Sequence, residues 1–293
     1  MPLSSKAKSS TTKAILLMLA AIFCFSTMDM MAKLLSERVG TMTTLWVRYL
    51  GQTLFVTALI APKFSQIIRT RYPKLQLARS VFLLCATSFF FFGISNIGLA
   101  EAASVMSTNP IFITLGAALF LGERFGLRRA LAIAAAMLGA LLVIRPGSDV
   151  FSPFALLPLA AAVCYSAYAL TTRFVGRDEN AWTSLFYTAL FGAVVLTLAL
   201  PQFWQPLAWA DAPLVVGITL CATLGQLALI RALMEGEAAM LAPFSYAGIL
   251  FAICYGYFVF SDSPDLFTAL GALVIATAGI YVWHRETFGK TKS

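Results

Sequence analysis

Leu16-Leu17-Met18-Leu19-Ala20-Ala21-Ile22-Phe23-Cys24-Phe25-Ser26 returns 140 residues later as Leu156-Leu157-Pro158-Leu159-Ala160-Ala161-Ala162-Val163-Cys164-Tyr165-Ser166. The same spacing pairs Lys33 with Arg173. Further along, Leu84-Cys85-Ala86-Thr87 matches Leu220-Cys221-Ala222-Thr223, and Glu101-Ala102-Ala103 matches Glu237-Ala238-Ala239, both 136 residues apart. A single match between stretches rich in Leu and Ala carries little weight. Several in order, at nearly constant spacing, mark an internal duplication.

Both copies lie in long apolar runs. Of the 293 residues 60% are hydrophobic and 12% charged, about half the roughly 25% charge of soluble domains. A soluble chain of this size could not cover its surface with so few charges, so lipid is the solvent that fits. A helix crosses the hydrocarbon core in about 20 apolar residues. Ten such runs can be drawn, near 14–35, 41–61, 77–97, 100–121, 127–144, 151–173, 181–200, 211–233, 238–260 and 265–283. Charged and turn residues separate them, among them Ser36-Glu37-Arg38, Pro62-Lys63, Arg145-Pro146-Gly147 and Ser261-Asp262-Ser263-Pro264; between the third and fourth runs there is little more than Glu101. The first run follows Lys6, Lys8 and Lys13, is long enough to span, and has no clear small-residue cleavage site. It reads as a retained helix and not as a signal peptide.

Cytoplasmic loops carry excess Lys and Arg. With the N-terminus inside, 17 of the 21 basic residues, Arg79 among them, fall in cytoplasmic segments; Lys33, Arg38 and Arg145 fall outside, and Arg48 lies within a span. The opposite orientation inverts this bias. The expected fold class is therefore all-α integral membrane, ten helices with both termini cytoplasmic, in a bacterial inner membrane. The net charge of +8 reflects orientation. The basic residues form no face for nucleic acid, and no such partner is expected.

Each copy holds five helices, 14–145 and 151–284. An odd number brings the second copy in from the opposite side, so the repeats are inverted about an axis in the membrane plane. That layout is typical of secondary transporters, whose site lies near the midplane between the repeats. The rival classes are a membrane enzyme and a scaffold. An enzyme needs clustered His, Cys or carboxylates, whereas His284 stands alone and the acids are dispersed. There is no GxxxxGK[ST] loop for ATP and no CxxC pair among Cys24, Cys85, Cys164, Cys221 and Cys254. No enzyme activity, cofactor or metal is expected.

The ends of the fourth and ninth runs carry a resemblance. The first reads Asn109-Pro110-Ile111-Phe112, then Leu119-Phe120-Leu121-Gly122-Glu123, followed by a run ending Gly139-Ala140-Leu141-Leu142-Val143-Ile144. The second reads Ala242-Pro243-Phe244-Ser245-Tyr246, then Gly256-Tyr257-Phe258-Val259-Phe260-Ser261-Asp262, followed by Gly271-Ala272 and Gly279. With the duplicated five-helix unit, these resemble the ten-helix EamA-type branch of the drug/metabolite transporter superfamily over 14–284. The family usually has Gly-Glu where Ser261-Asp262 stand. The chain looks most like the branch that includes riboflavin and S-adenosylmethionine transporters. The resemblance implies a secondary transporter that moves a small organic metabolite by alternating access. Riboflavin or a similar aromatic metabolite is the expected substrate, and an amino-acid or other metabolite exporter is the alternative. It further implies a central cavity lined by helices one, three, four, six, eight and nine. A homodimer is compatible with the sequence but not required by it.

Asp29 and Arg48 are the sharpest candidates, because ionisable residues inside spans are costly and usually functional. At 1.5 Å per residue both sit roughly 10 Å below one interface. An ion pair is feasible, either as a lock between two helices or as a contact for substrate or gate. Their counterparts in the second copy are Ala169 and Thr188, so the charges do not belong to the duplicated scaffold. Asn96, Asn109, Tyr165, Tyr168, Gln226, Ser245 and Tyr246 are further substrate-binding or gating candidates, since aromatic walls with a few hydrogen-bonding groups suit a planar solute. Pro110 and Pro243 are hinge candidates, because proline interrupts the hydrogen bonding of a span. Glu101 and Glu237 read as interfacial, and Glu123 and Asp262 as helix-start residues.

Overall fold

Gly40 is where the longest helix turns back. In the computed structural model, which describes residues 3–121, 127–145, 152–175, 179–235, 241–262 and 264–288, α1 (Leu3–Ile60) is continuous except at Gly40, with φ 74° and ψ 158°. Glycine holds a positive φ without a Cβ penalty. Twenty residues of straight helix span about 30 Å, yet the Nε of Arg48 lies 3.4 Å from the Sδ of Met28. The two arms of α1 therefore run antiparallel, as the first and second apolar runs. Glu123 and Glu237 lie outside the described residues.

Among the described residues the chain is all helical, with no strand. After α1 come α2 (Phe64–Ile67), α3 (Pro73–Ile94), α4 (Leu99–Met106), α5 (Asn109–Leu121), α6 (Leu127–Ile144), α7 (Leu156–Val175), α8 (Ala181–Ala199), α9 (Ala212–Glu235), α10 (Ala247–Phe260) and α11 (Leu266–Phe288). Five helical stretches, Thr12–Ile67, Pro73–Ile94, Pro153–Val175, Ala181–Gln202 and Trp209–Glu235, are long and apolar enough to cross a membrane; Phe244–Phe260 and Leu266–Ala278 are shorter apolar helices.

Local chemistry sets several boundaries. Pro73 stands in the first turn of α3, where its missing N–H costs nothing. This start precedes the expected one at 77, so Arg79 lies well within α3 and not at its edge, and it is fully buried. Arg79 is thus not the loop charge that the sequence suggests. The break before α4 is the extended Gly98 (φ −60°, ψ 143°), and Glu101 occupies the first turn of that helix. Asn180 caps α8 by accepting from the Trp182 backbone N–H at 3.0 Å. Ser261, where the family usually has glycine, ends α10 in the left-handed region (φ 53°).

The fourth apolar run is two helices. α4 stops at Met106 and α5 starts at Asn109, immediately before Pro110. The ninth run is likewise irregular, because Ala242–Tyr246 forms a 3-10 turn with proline in its first turn ahead of α10. Both hinge candidates therefore stand at interruptions.

Helix pairs carry the packing. The first arm of α1 meets α9 through Ala14, Met18, Ala21 and Ile22 against Leu229, Ala232 and Leu233. Ion pairs hold the two at both ends, Lys13–Glu235 at 2.6 Å and, from the residue just before α9, Arg38–Asp211 at 3.0 Å. α3 packs on α7, and α6 on α11. At the α6–α11 crossing a Cβ on Gly139 would stand 2.9 Å from the Gly271 carbonyl oxygen, and one on Gly271 2.6 Å from that of Gly139. The backbones touch there, as small residues permit in membrane helices.

A candidate solute cavity between the two halves

Ile22, Phe25, Ser26 and Asp29 recur at three- and four-residue steps and so share one face of the first arm of α1. Leu83, Ala86, Thr87, Phe90 and Phe91 do the same on α3. Both faces line a cavity of about 960 Å³, its mouth included. Leu99, Ala103 and Met106 of α4, Ser107 at the break and Asn109 of α5 complete the wall from the first half. Tyr165 of α7, Gln226 of α9, Ser245 of the 3-10 turn, and Gly248 and Ala252 of α10 close it from the second half. The spans expected to line a central cavity all contribute. The second arm of α1 adds Arg48, which the expected set of lining helices leaves out.

Asp29 and Arg48 are the charged residues of this lining. Arg48 is 2% exposed. Its Nε donates to Met28 Sδ, its guanidinium carbon lies 4.5 Å from the centre of the Tyr49 ring, and its Nη1 has no hydrogen-bond partner among the described residues. The feasible ion pair with Asp29 is not formed: among the described residues the ion pairs are Lys13–Glu235, Arg38–Asp211 and Arg145–Asp265. A salt bridge locking two helices is thus not what these residues provide. They bring opposite charges to one cavity without joining them.

The remaining candidates divide. Asn109 (7% exposed), Tyr165, Gln226 and Ser245 line the cavity. Gln226 donates through Nε2 to the Tyr168 hydroxyl oxygen, while its buried Oε1 has no partner among the described residues. Tyr168 does not reach the cavity. It is fully buried behind Gln226. Asn96 is exposed at the end of α3, where its side-chain amide donates to the Phe92 carbonyl at 2.8 Å. Tyr246 faces away from the cavity and packs on Ala140, Ile249, Ala272 and Ile275. Pro110 is not part of the lining, and the side chain of Pro243 lies outside what the structure describes.

Sequence reasoning missed the buried network behind Tyr168. Arg79 donates to Tyr168 Oη (2.9 Å), Thr172 Oγ1 (2.7 Å), the Ser184 carbonyl (3.0 Å) and Gln76 Oε1 (3.1 Å). Gln76 in turn donates to Glu179 Oε2 at 3.2 Å, and Glu179 Oε1 accepts from the Arg71 backbone N–H at 2.6 Å. The polar triplet Gln76, Arg79 and Ser80 on one face of α3 is the signal that marks it. Each nitrogen of this guanidinium donates to an acceptor on α3, α7 or α8, in contrast to Arg48. The network anchors Gln226 to the helices beneath the cavity.

Hydrogen-bonding groups, aromatic surface and two separated charges can bind and orient a solute. A lipid-embedded helical protein with such a cavity between matching halves belongs to the class of membrane transporters. The EamA-like transporter family profile matches residues 12–145 and again 153–283, and the chain belongs to that family. It is 30% identical over 275 residues to the pseudopaline exporter CntI of Pseudomonas aeruginosa, covering 91% of this chain and 94% of that one. It is 30% identical over 224 residues to a riboflavin transporter of Rhizobium johnstonii (75% and 73% covered). It is 22% identical over 268 residues to an S-adenosylmethionine uptake transporter of Rickettsia felis (92% and 91%). A solved crystal structure shares the fold with TM-score 0.64 at 18% identity, over 99% of both chains. The chain is thus a multi-pass membrane transporter of a bacterial family, and not an enzyme.

Proposed function

We propose that the chain is a secondary transporter that carries a small organic metabolite across the bacterial inner membrane by alternating access. Ten crossings, arranged as inverted repeats over 14–145 and 151–284 with both termini cytoplasmic, rock about a site between them. The observation that carries the reading is the cavity walled by both halves, in the place where inverted-repeat transporters hold their solute. The packing supports it as well: α3 on α7 and the first arm of α1 on α9 are the same pairing with the halves exchanged.

Two substrate readings follow. Riboflavin or a similar aromatic metabolite is supported by the riboflavin transporter among the relatives and by Phe25, Phe90, Phe91 and Tyr165 in the wall. An amino-acid-like metabolite is favoured by Asp29 and Arg48. The test common to both fills the cavity. A Cβ on Gly248 meets its nearest neighbours, Ile22 and Ser26, at 3.4 and 3.8 Å. Gly248→Ala is therefore accommodated, while the leucine of Gly248→Leu must enter the cavity. In proteoliposomes Gly248→Ala is expected to keep solute uptake and Gly248→Leu to lose it at least about tenfold. Equal uptake by both variants would put the transport path elsewhere.

A further inference from the structure

We propose that Asp29 and Arg48 form a split clamp for a zwitterion. The transported solute presents a carboxylate to Arg48 and an ammonium group to Asp29, and its apolar or aromatic body lies against Phe25, Phe90 and Phe91. This deepens the transport reading above and rests on it.

The argument starts with Arg48. A guanidinium 2% exposed inside a span is costly unless its donors are met. Its Nε makes only a sulfur contact and its Nη1 meets no acceptor among the described residues. Arg79 shows that this chain can engage every nitrogen of a buried guanidinium with protein acceptors. At Arg48 it does not, and the side chain lines the cavity. The planar fork of an arginine matches a carboxylate through two parallel bonds, as a lysine cannot.

Asp29 supplies the other sign. It follows Met28, the residue in contact with Arg48, and consecutive Cα atoms are 3.8 Å apart. The carboxylate therefore lies within a small molecule's length of the guanidinium, on the same cavity, without an ion pair between them. A solute with a carboxylate alone leaves Asp29 uncompensated, and one with an ammonium alone leaves Arg48 so. A zwitterion satisfies both and adds no net charge to the site. The unpartnered Gln226 Oε1 is a second acceptor on this cavity for the ammonium. The counterparts in the second half, Ala169 and Thr188, are buried without charge, so the duplicated scaffold packs without the pair.

The test uses the purified full-length protein with four probes. These are L-phenylalanine, 3-phenylpropanoate (the same body without the ammonium), 2-phenylethylamine (without the carboxylate) and riboflavin. Binding is read by titration, and movement by uptake of the labelled compounds into proteoliposomes. L-Phenylalanine is expected to bind and move, and each single-charge analogue to bind at least about tenfold more weakly, because it leaves one charge of the site unmatched. In Asp29→Asn the preference for L-phenylalanine over 3-phenylpropanoate should collapse while that over 2-phenylethylamine stays. Arg48→Gln should do the reverse. Loss of folding would weaken all probes together and cannot produce that crossed pattern; if Arg48→Gln does not fold, Asp29→Asn carries the test alone. Equal binding of L-phenylalanine and 3-phenylpropanoate overturns the clamp. Movement of riboflavin without that of L-phenylalanine also overturns it and leaves the transport reading intact. If none of the four moves, the clamp is overturned, while the transport reading stands for a solute of another class.

Discussion

Two buried arginines differ in how their donors are met. All three nitrogens of Arg79 are engaged, by Tyr168, Thr172, Ser184 and Gln76, whereas Arg48 keeps a nitrogen without an acceptor among the described residues. Tyr168 sits between the network and the cavity, because its oxygen accepts from both Arg79 and Gln226. Tyr168→Phe removes that oxygen and leaves buried donors at both residues. A destabilisation of about 1–3 kcal/mol is expected, read as a lower midpoint of thermal unfolding in detergent, and an unchanged midpoint would show that the network is dispensable. From sequence, Asp29 and Arg48 stood out, because a charge in an apolar run is conspicuous. Arg79 did not, because a charge at the edge of a run reads as loop until the helix start at Pro73 is known. Tyr246 lies outside the cavity lining for a rotational reason. It is adjacent to Ser245, yet one residue of a 3-10 turn rotates the side chain by roughly 120°, and the tyrosine faces α11 while the serine faces the cavity.

At the scale of the element, glycines and prolines decide the geometry. Gly139 and Gly271 let α6 and α11 touch at backbone distance. Gly139→Ala places a methyl against a carbonyl oxygen of the opposite helix, which cannot rotate away as a side chain can. The helices must separate, at a cost of about 1–3 kcal/mol, measurable as lost thermal stability; no loss would mean that the crossing is looser than described. The ends of the fourth and ninth runs carried the family resemblance, but the break of the fourth run into α4 and α5 was not legible beyond its proline. Pro110 cannot donate a backbone hydrogen bond, and the helix restarts one residue before it. If this break is the hinge of the transport cycle, Pro110→Ala should slow solute turnover severalfold while binding affinity stays within about twofold. Equal effects on binding and turnover would assign the proline to packing alone.

For the whole molecule, duplication was legible because the repeat survives as sequence, and membrane residence because charge is scarce. The cavity was legible only in outline. The faces of α1 and α3 follow from helical spacing, but the arrival of Arg48 depends on the turn at Gly40, and that of Ser245 on the 3-10 turn. Both are tertiary facts that no periodicity announces. The central claim is that solute passes by alternating access through the cavity between the halves, and counterflow tests it most directly. Proteoliposomes loaded with unlabelled L-phenylalanine or riboflavin are placed in a trace of the same labelled compound. Alternating access predicts saturable uptake of at least one of them, accelerated by the unlabelled solute inside and abolished in Gly248→Leu. Uptake that does not saturate and ignores the internal solute, or that persists in Gly248→Leu, would contradict the account.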